Sequence, residues 1–172
     1  KYTQTGVLTE QLLASLLGQP LAVLLDGRAA AQCWSCQGWR QGGVSWLHDN
    51  SGFYYSSKPL EGEVPEGEHQ YWHRGWFHTL GTPKDNDVLV AHDSEVKETW
   101  NGISVSEDGK WLLIYRSLFN SNDVWLQRVG SEERVAVVTG MSGKHNVEVV
   151  EDQLLILTDW EAPNYRILKA ST

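Results

Sequence analysis

Three stretches of this chain share one plan: a short strand pattern, an acidic turn and a second strand pattern. They read GVSWLHDNSGFYYS, GISVSEDGKWLLIY and NVEVVEDQLLILT. Gly52 and Gly109 are 57 residues apart, and Asp108 and Asp152 are 44 apart. The shorter interval fits the ~40–45 residues of one four-stranded propeller blade. The longer one exceeds it by about one long loop, visible as Ser57–Gln70 (SKPLEGEVPEGEHQ). A hairpin that recurs at this spacing can bury its apolar faces only against its neighbours. Evenly spaced strands also suit a β-sandwich, so the repeat favours a propeller without excluding two facing sheets.

From Gly43 to the end the strand pattern is continuous. Val44–Leu47 and Phe53–Ser56 flank a turn at Asp49-Asn50-Ser51-Gly52, then come Tyr71–Leu80, Asp87–Ala91, Ile103–Val105, Lys110–Arg116, Val124–Arg128, Arg134–Val138, Val147–Val150, Leu154–Thr158 and Tyr165–Lys169. They are short, β-branched or aromatic, and bounded by Gly, Asn, Asp and Ser. The fold class expected is mainly β: an incomplete propeller of about three four-stranded antiparallel blades over residues 43–172. Residues 1–42 read as a separate N-terminal segment. Thr9 there can cap a short helix whose stripe is Leu12, Leu13, Leu16 and Leu17, stopped by Gly18 and Pro20. Leu21–Leu25 reads equally as strand or helix.

Charge and composition remove several functions. A formal charge of −8 with no basic cluster repels phosphate backbones and anionic lipid, so neither nucleic acid nor membrane is an expected partner. The longest apolar stretch near the N-terminus is far below the ~20 residues that span a bilayer. No signal-peptide pattern is present, and the compartment stays open between cytoplasm and periplasm. Cys33-Trp34-Ser35-Cys36 has the spacing of a redox pair or half a zinc site, but the strand-then-helix setting of a redox motif is missing, and His69, His73 and His78 fall on unlike faces. Two incidental thiols are the simpler reading, and neither metal nor cofactor is expected.

Catalytic patterns are equally sparse. Gly140-Met141-Ser142-Gly143 lacks the second glycine and the following helix of a nucleophile elbow, so it reads as a turn, and His48, His92 and His145 have no triad to join. The loop acids Glu61, Glu63, Glu66 and Glu68 lie on a flexible segment that cannot fix a glycosidase spacing. Asp85-Asn86-Asp87 lacks the Gly and Glu of a calcium loop. Asp49, Asp108 and Asp152 recur as turn residues whose carboxylates accept backbone N–H bonds. Trp46, Trp111 and Trp125 read as packing between blades, whereas Trp72, Trp76, Trp100 and Trp160 lie near turns or strand ends.

The strings GVSWLHDNSGFYYSSKP, YWHRGWFHTLGTPKDNDVLV, WNGISVSEDGKWLLIY and LTDWEAPNYRIL resemble, in order, the propeller of the prolyl oligopeptidase family of serine peptidases. The most specific part is Phe77–Thr82 with Asp87–Val90. The resemblance implies part of a seven-bladed ring that caps an α/β-hydrolase domain, admits short peptides and leaves cleavage after proline to that domain. It also places Ser57–Gln70 at a mobile loop facing the cleft. Cleft-facing candidates are Ser57, Lys58, Glu61, Glu63, Glu66 and Glu68, with Phe119 and Asn120 between two strands of one blade. The expected partners are the hydrolase domain and short peptides, and the isolated open arc is expected to self-associate. The competing reading is a free-standing β-propeller-like module that binds peptide or protein without catalysis.

Overall fold

The computed structural model describes residues 44–172, apart from Glu61 and Ser94. The short helix, the Leu21–Leu25 stretch, the Cys33/Cys36 pair and the boundary at residue 42 lie outside the described residues.

Eleven strands form three antiparallel sheets, each wound in chain order. The first contains β1 (Val44–Trp46), β2 (Gly52–Ser57), β3 (Arg74–Thr79) and β4 (Val88–His92). The second contains β5 (Trp100–Val105), β6 (Trp111–Ser117), β7 (Asn122–Arg128) and β8 (Arg134–Val138). The third has three strands rather than the four expected: β9 (His145–Val150), β10 (Gln153–Thr158) and β11 (Arg166–Ser171). Strand β5 packs across the first sheet, and β9 packs on β6 and β7. The three sheets are therefore stacked meanders, an open partial propeller, and not the two facing sheets of a sandwich. A register shift recurs at the same place in two blades, at Gly75/Trp76 between β3 and β4 and at Val124/Trp125 between β7 and β8. Such a bulge bends and twists the outer strand.

The burial pattern explains the sequence pattern. In β6, Leu112, Leu113 and Ile114 are all buried, because this blade has a neighbour on each side. Leu112 and Ile114 join Tyr54, Ala91 and Ile103 in the first seam. Leu113 joins Val124, Leu126, Val138, Val147, Val149, Leu154 and Ile156 in the second. Trp125 packs on the first seam and Trp111 on the second, as expected of inter-blade aromatics. Gly75 permits the close approach: a methyl group there would meet Ile103 Cδ1 at 2.8 Å. Strand β9 alternates instead, with His145, Val147 and Val149 buried and the residues between them exposed. Only one of its faces is covered.

The turns use local chemistry. Asp49 Oδ1 accepts the Ser51 N–H at 2.9 Å, and Asp108 Oδ1 accepts the Lys110 N–H at 3.1 Å. The Ser106 hydroxyl and the Lys110 N–H hold the Asp108 carboxyl down at about 2. At the third turn the backbone itself reverses, with φ of 49° at Glu151 and 60° at Asp152, the two-residue primed geometry that suits twisted hairpins.

The inner strands β5 and β9 each pair with one strand only, so their other edges carry backbone groups that need partners. Side chains of the preceding blade supply them. Ser45 Oγ accepts the Val105 N–H (2.8 Å), and Ser56 Oγ donates to Asn101 O (2.5 Å). On β9, Tyr115 Oη donates to Val147 O (2.9 Å) and accepts Val147 N–H (3.2 Å). Asn122 lies against His145 like a strand residue, its Oδ1 accepting the His145 N–H (2.7 Å) and its Nδ2 donating to His145 O (2.8 Å).

Asn122→Ala removes both bonds and leaves a buried N–H and C=O at His145 unpaired. The expected destabilisation is about 2–4 kcal/mol, read from the urea midpoint of tryptophan fluorescence. A change below ~0.5 kcal/mol, the range of an ordinary surface substitution, would show that this clamp is not what holds the second seam.

Candidate functional site

Alternation of strand direction sorts the connections onto two ends of the stack. Segments 58–73, 93–99, 118–121, 139–144 and 159–165 share one end, called here the loop end. Contacts between successive blades fix this: Trp72 N–H donates to Lys97 O (2.9 Å), Arg116 reaches Asp93, and Lys144 Nζ donates to Leu118 O (2.7 Å). At the opposite, turn end, the His48 ring abuts Gly109. That glycine has φ +72°, so it serves both the turn and the close approach.

Every described cleft candidate falls at the loop end. Ser57 closes β2. Lys58 Nζ donates to Gln70 Oε1 at 2.5 Å across the neck of the long loop. Glu63 Oε2 accepts the Leu60 N–H (3.1 Å) and pairs with Arg74 (2.9 Å). Glu68 accepts from Lys97 Nζ (2.6 Å) and from Trp72 Nε1 (2.8 Å). Those two donors hold the Glu68 carboxyl below the usual carboxylate range, and the bond to Glu68 raises the Lys97 ammonium. Glu66 is exposed, as is Asn120. Phe119 is 81% exposed on the tight β6–β7 turn, where Leu118 N–H donates to Ser121 O. Glu61 lies outside the described residues.

The structure also shows functional-looking groups that pattern reading missed. Arg116, at the end of β6, joins Asp93 of the first inter-blade connector (3.1 Å) to Asp123 at the start of β7 (2.6 Å). Asp123 in turn accepts the Gly140 N–H at 2.8 Å, which ties in the next connector. Burial opposes the charge on Asp93, but the Glu95 and Val96 amides and the Arg116 guanidinium outweigh it and keep its carboxyl below the usual range. Four of the six ion pairs among the described residues lie at this end. His73 stands at the root of the long loop with Nε2 3.3 Å from Gln70 O, and burial pushes its imidazole below the usual range.

Conserving a charge here is one thing, and reacting is another. His78 Nδ1 sits 2.6 Å from Asp87 Oδ1, and Tyr55 Oη donates to Asp87 Oδ2 at 2.5 Å, all within a buried network that clips β3 to β4. His145 Nδ1 lies 2.9 Å from Thr158 Oγ1 in the second seam. Ser142 lies in the β8–β9 connector and is followed by strand, not helix. A 480 Å³ groove between β5, β6 and β9 is lined by polar side chains that include Ser104, Ser106, Glu107, Tyr115 and Glu148, and the Ser106 hydroxyl is held by Asp108 in the turn (2.6 Å). Trp100 is 44% exposed and edge-on to His73, and Arg166 stacks over Trp160 at 4.8 Å.

The comparisons agree with that geometry. The model of the prolyl oligopeptidase N-terminal beta-propeller domain matches residues 35–172. A prolyl endopeptidase of Elizabethkingia meningoseptica is 32% identical over 134 residues, covering 75% of this chain and 19% of the relative. Prolyl oligopeptidase A of Amanita bisporigera is 28% identical over 143 residues, covering 73% and 18%. A solved structure from a study of two prolyl endopeptidases superposes with a TM-score of 0.72 at 29% identity, covering 78% of this chain and 20% of that one. Prolyl oligopeptidase B of Galerina marginata gives 0.67 at 24%, covering 76% and 19%, a likeness of fold. The chain belongs to the prolyl oligopeptidase family and corresponds to part of its propeller; it spans about a fifth of the length of the curated relatives it matches.

Arg116→Met leaves Asp93 and Asp123 facing each other without their cation, and should cost about 1–3 kcal/mol at neutral pH. The folded Asp93 carboxyl is depressed, so its contribution is present above the ordinary carboxylate range and is lost as pH falls through the folded value. Urea titrations of both forms should therefore converge on acidification. A difference that stays constant from pH 7 to pH 3 would assign the loss to packing alone.

Proposed function

We propose that this chain is the access-restricting part of a prolyl-oligopeptidase-like serine endopeptidase, and that its loop end faces the hydrolase domain. The observation that carries the reading is the difference between the two ends. The loop end holds the exposed rings Tyr71, Trp100, Phe119 and Tyr165 and the braced 58–73 segment; Glu63, Glu68, Asp93 and Asp123 there pair with Arg74, Lys97 and Arg116, while Glu66, Glu95, Glu98 and Glu161 face solvent. A surface where exposed aromatic rings cluster suits contact with another domain. The turn end likewise exposes acids, Asp49, Asp85, Glu107, Glu132, Glu133, Glu151 and Asp152, but among the described residues none of the exposed Phe, Tyr or Trp rings lies there.

In the parent enzyme the hydrolase domain would supply the nucleophile, base and oxyanion donors, and cleave the bond after proline through an acyl-enzyme. This segment would limit which peptides reach it. Ser57, Lys58, Glu61, Glu63, Glu66 and Glu68 would border the cleft from one side, and Phe119 and Asn120 from the next blade. In the longer protein that carries this segment, replacing residues 59–69 by a short glycine link should speed hydrolysis of ~30-residue peptides relative to a short proline peptide. Equal acceleration of both, or none, would remove the access role and leave the free-standing binding module as the reading.

Self-association of the isolated chain follows from the bare face of the third blade. Leu157 (42%), Ile167 (69%) and Val150 (42%) are exposed on it, and β11 presents an unpaired edge among the described residues. Sedimentation of the 172-residue chain should show a mass that rises with concentration. A monomer at all concentrations with a single cooperative melt contradicts it.

A further inference from the structure

The 58–73 segment has a fold of its own. Glu63 N–H donates to Leu60 O (3.1 Å), Glu68 N–H to Pro65 O (3.0 Å) and Tyr71 N–H to Glu68 O (2.9 Å), so successive turns replace an irregular path. Its two ends are tied by Lys58 and Gln70, and its middle by Glu63 and Arg74. The last tie is different, because it leaves the blade. Glu68 Oε1 takes Lys97 Nζ, Glu68 Oε2 takes the Trp72 indole, Trp72 N–H donates to Lys97 O, and Lys97 Nζ lies 5.2 Å above the centre of the Tyr71 ring. Lys97 belongs to the connector that runs from β4 into the second blade.

Trp72 adopts φ of 58°, a left-handed conformation that a bulky side chain resists. Such a residue persists only where its surroundings over-determine it. Here the surroundings are the Glu68 carboxylate on its side chain and the Lys97 carbonyl on its backbone. Beside them the Glu68–Lys97 ion pair, whose side chains remain partly open to solvent, 36% for Lys97 and 25% for Glu68, holds the carboxylate in place. The same connector begins at Asp93, which Arg116 binds, so the tie ends on the charge cluster of the second blade.

We propose that Glu68, Trp72 and Lys97 form an ionic latch that locks the 58–73 segment across the first blade seam, with strained Trp72 as the hinge that swings when Glu68 and Lys97 part. The latch is a property of this chain and does not rest on the presence of a hydrolase domain. It gives the long loop a tie to the second blade that is closed by one carboxylate and released by whatever competes for it, beside the ties from Lys58 and Glu63 that stay within the first blade. Salt, or a cationic group presented to Glu68, opens it.

Hydrogen exchange followed by mass spectrometry on the 172-residue chain tests this, with peptides covering 58–72 as reporter and β6 as internal reference. Lys97→Met should raise exchange across 58–72 by about tenfold while β6 is unchanged, and Lys97→Arg should stay within about twofold of the natural chain. Raising salt to ~1 M should accelerate the natural chain toward the Met variant and move that variant much less, since only the Glu63–Arg74 pair is left to screen. Trp72→Phe, which removes only the indole donor, should give an intermediate rate. Unchanged exchange in Lys97→Met overturns the latch. So does equal acceleration of the strap and β6, which would make Lys97 a support of the blade.

Discussion

Everything in this stack of blades depends on giving partners to the open edge of each inner strand. A strand that pairs on one side only leaves a row of N–H and C=O groups, and burying such a row unpaired costs more than the seam can return. The preceding blade answers with side chains in place of a strand: two serines on β5, a tyrosine and an asparagine on β9. These bonds are directional, so they set how far one blade slides along the next. The apolar seams then supply most of the attraction, with far less say over position.

The meander was legible in the sequence because its signals are local. Acidic turns, short β-branched runs and the doubly apolar Leu112-Leu113-Ile114 each report on neighbours a few residues away, and the strands lie where those signals put them to within a few residues. The strand expected at Tyr71 begins only at Arg74, because Trp72 is spent on a left-handed bend, and the one expected at Ile103 begins at Trp100. The partners across seams were not legible. Nothing in the neighbourhood of Asn122 announces that its amide will cover His145, 23 residues on, and Arg116 gives no hint of Asp93. Asp87 and His78 did sit in the most specific string, yet spacing alone could not reveal that they meet in a buried clip with Tyr55.

The candidate cleft residues show the same division. Composition marks 57–70 as poor core material, and its exposure agrees. What composition hides is that Glu63 and Glu68 are spent on named cations, while Glu66 is left to solvent. A run of similar acids thus divides into braces and free charge only after the chain folds back onto Arg74 and Lys97. Family likeness locates the segment; distances decide what each carboxylate can do.

The half-covered third sheet has a consequence for how such a ring is sized. Adding one more meander would cover Leu157 and Ile167 but expose an equivalent surface on the newcomer, so each addition moves the vacancy along without abolishing it. Only the wedge angle between neighbours, accumulated until first and last faces meet, can end the series. Strand twist and the repeated irregularity in the outer strands therefore act as the counting device of the whole circle.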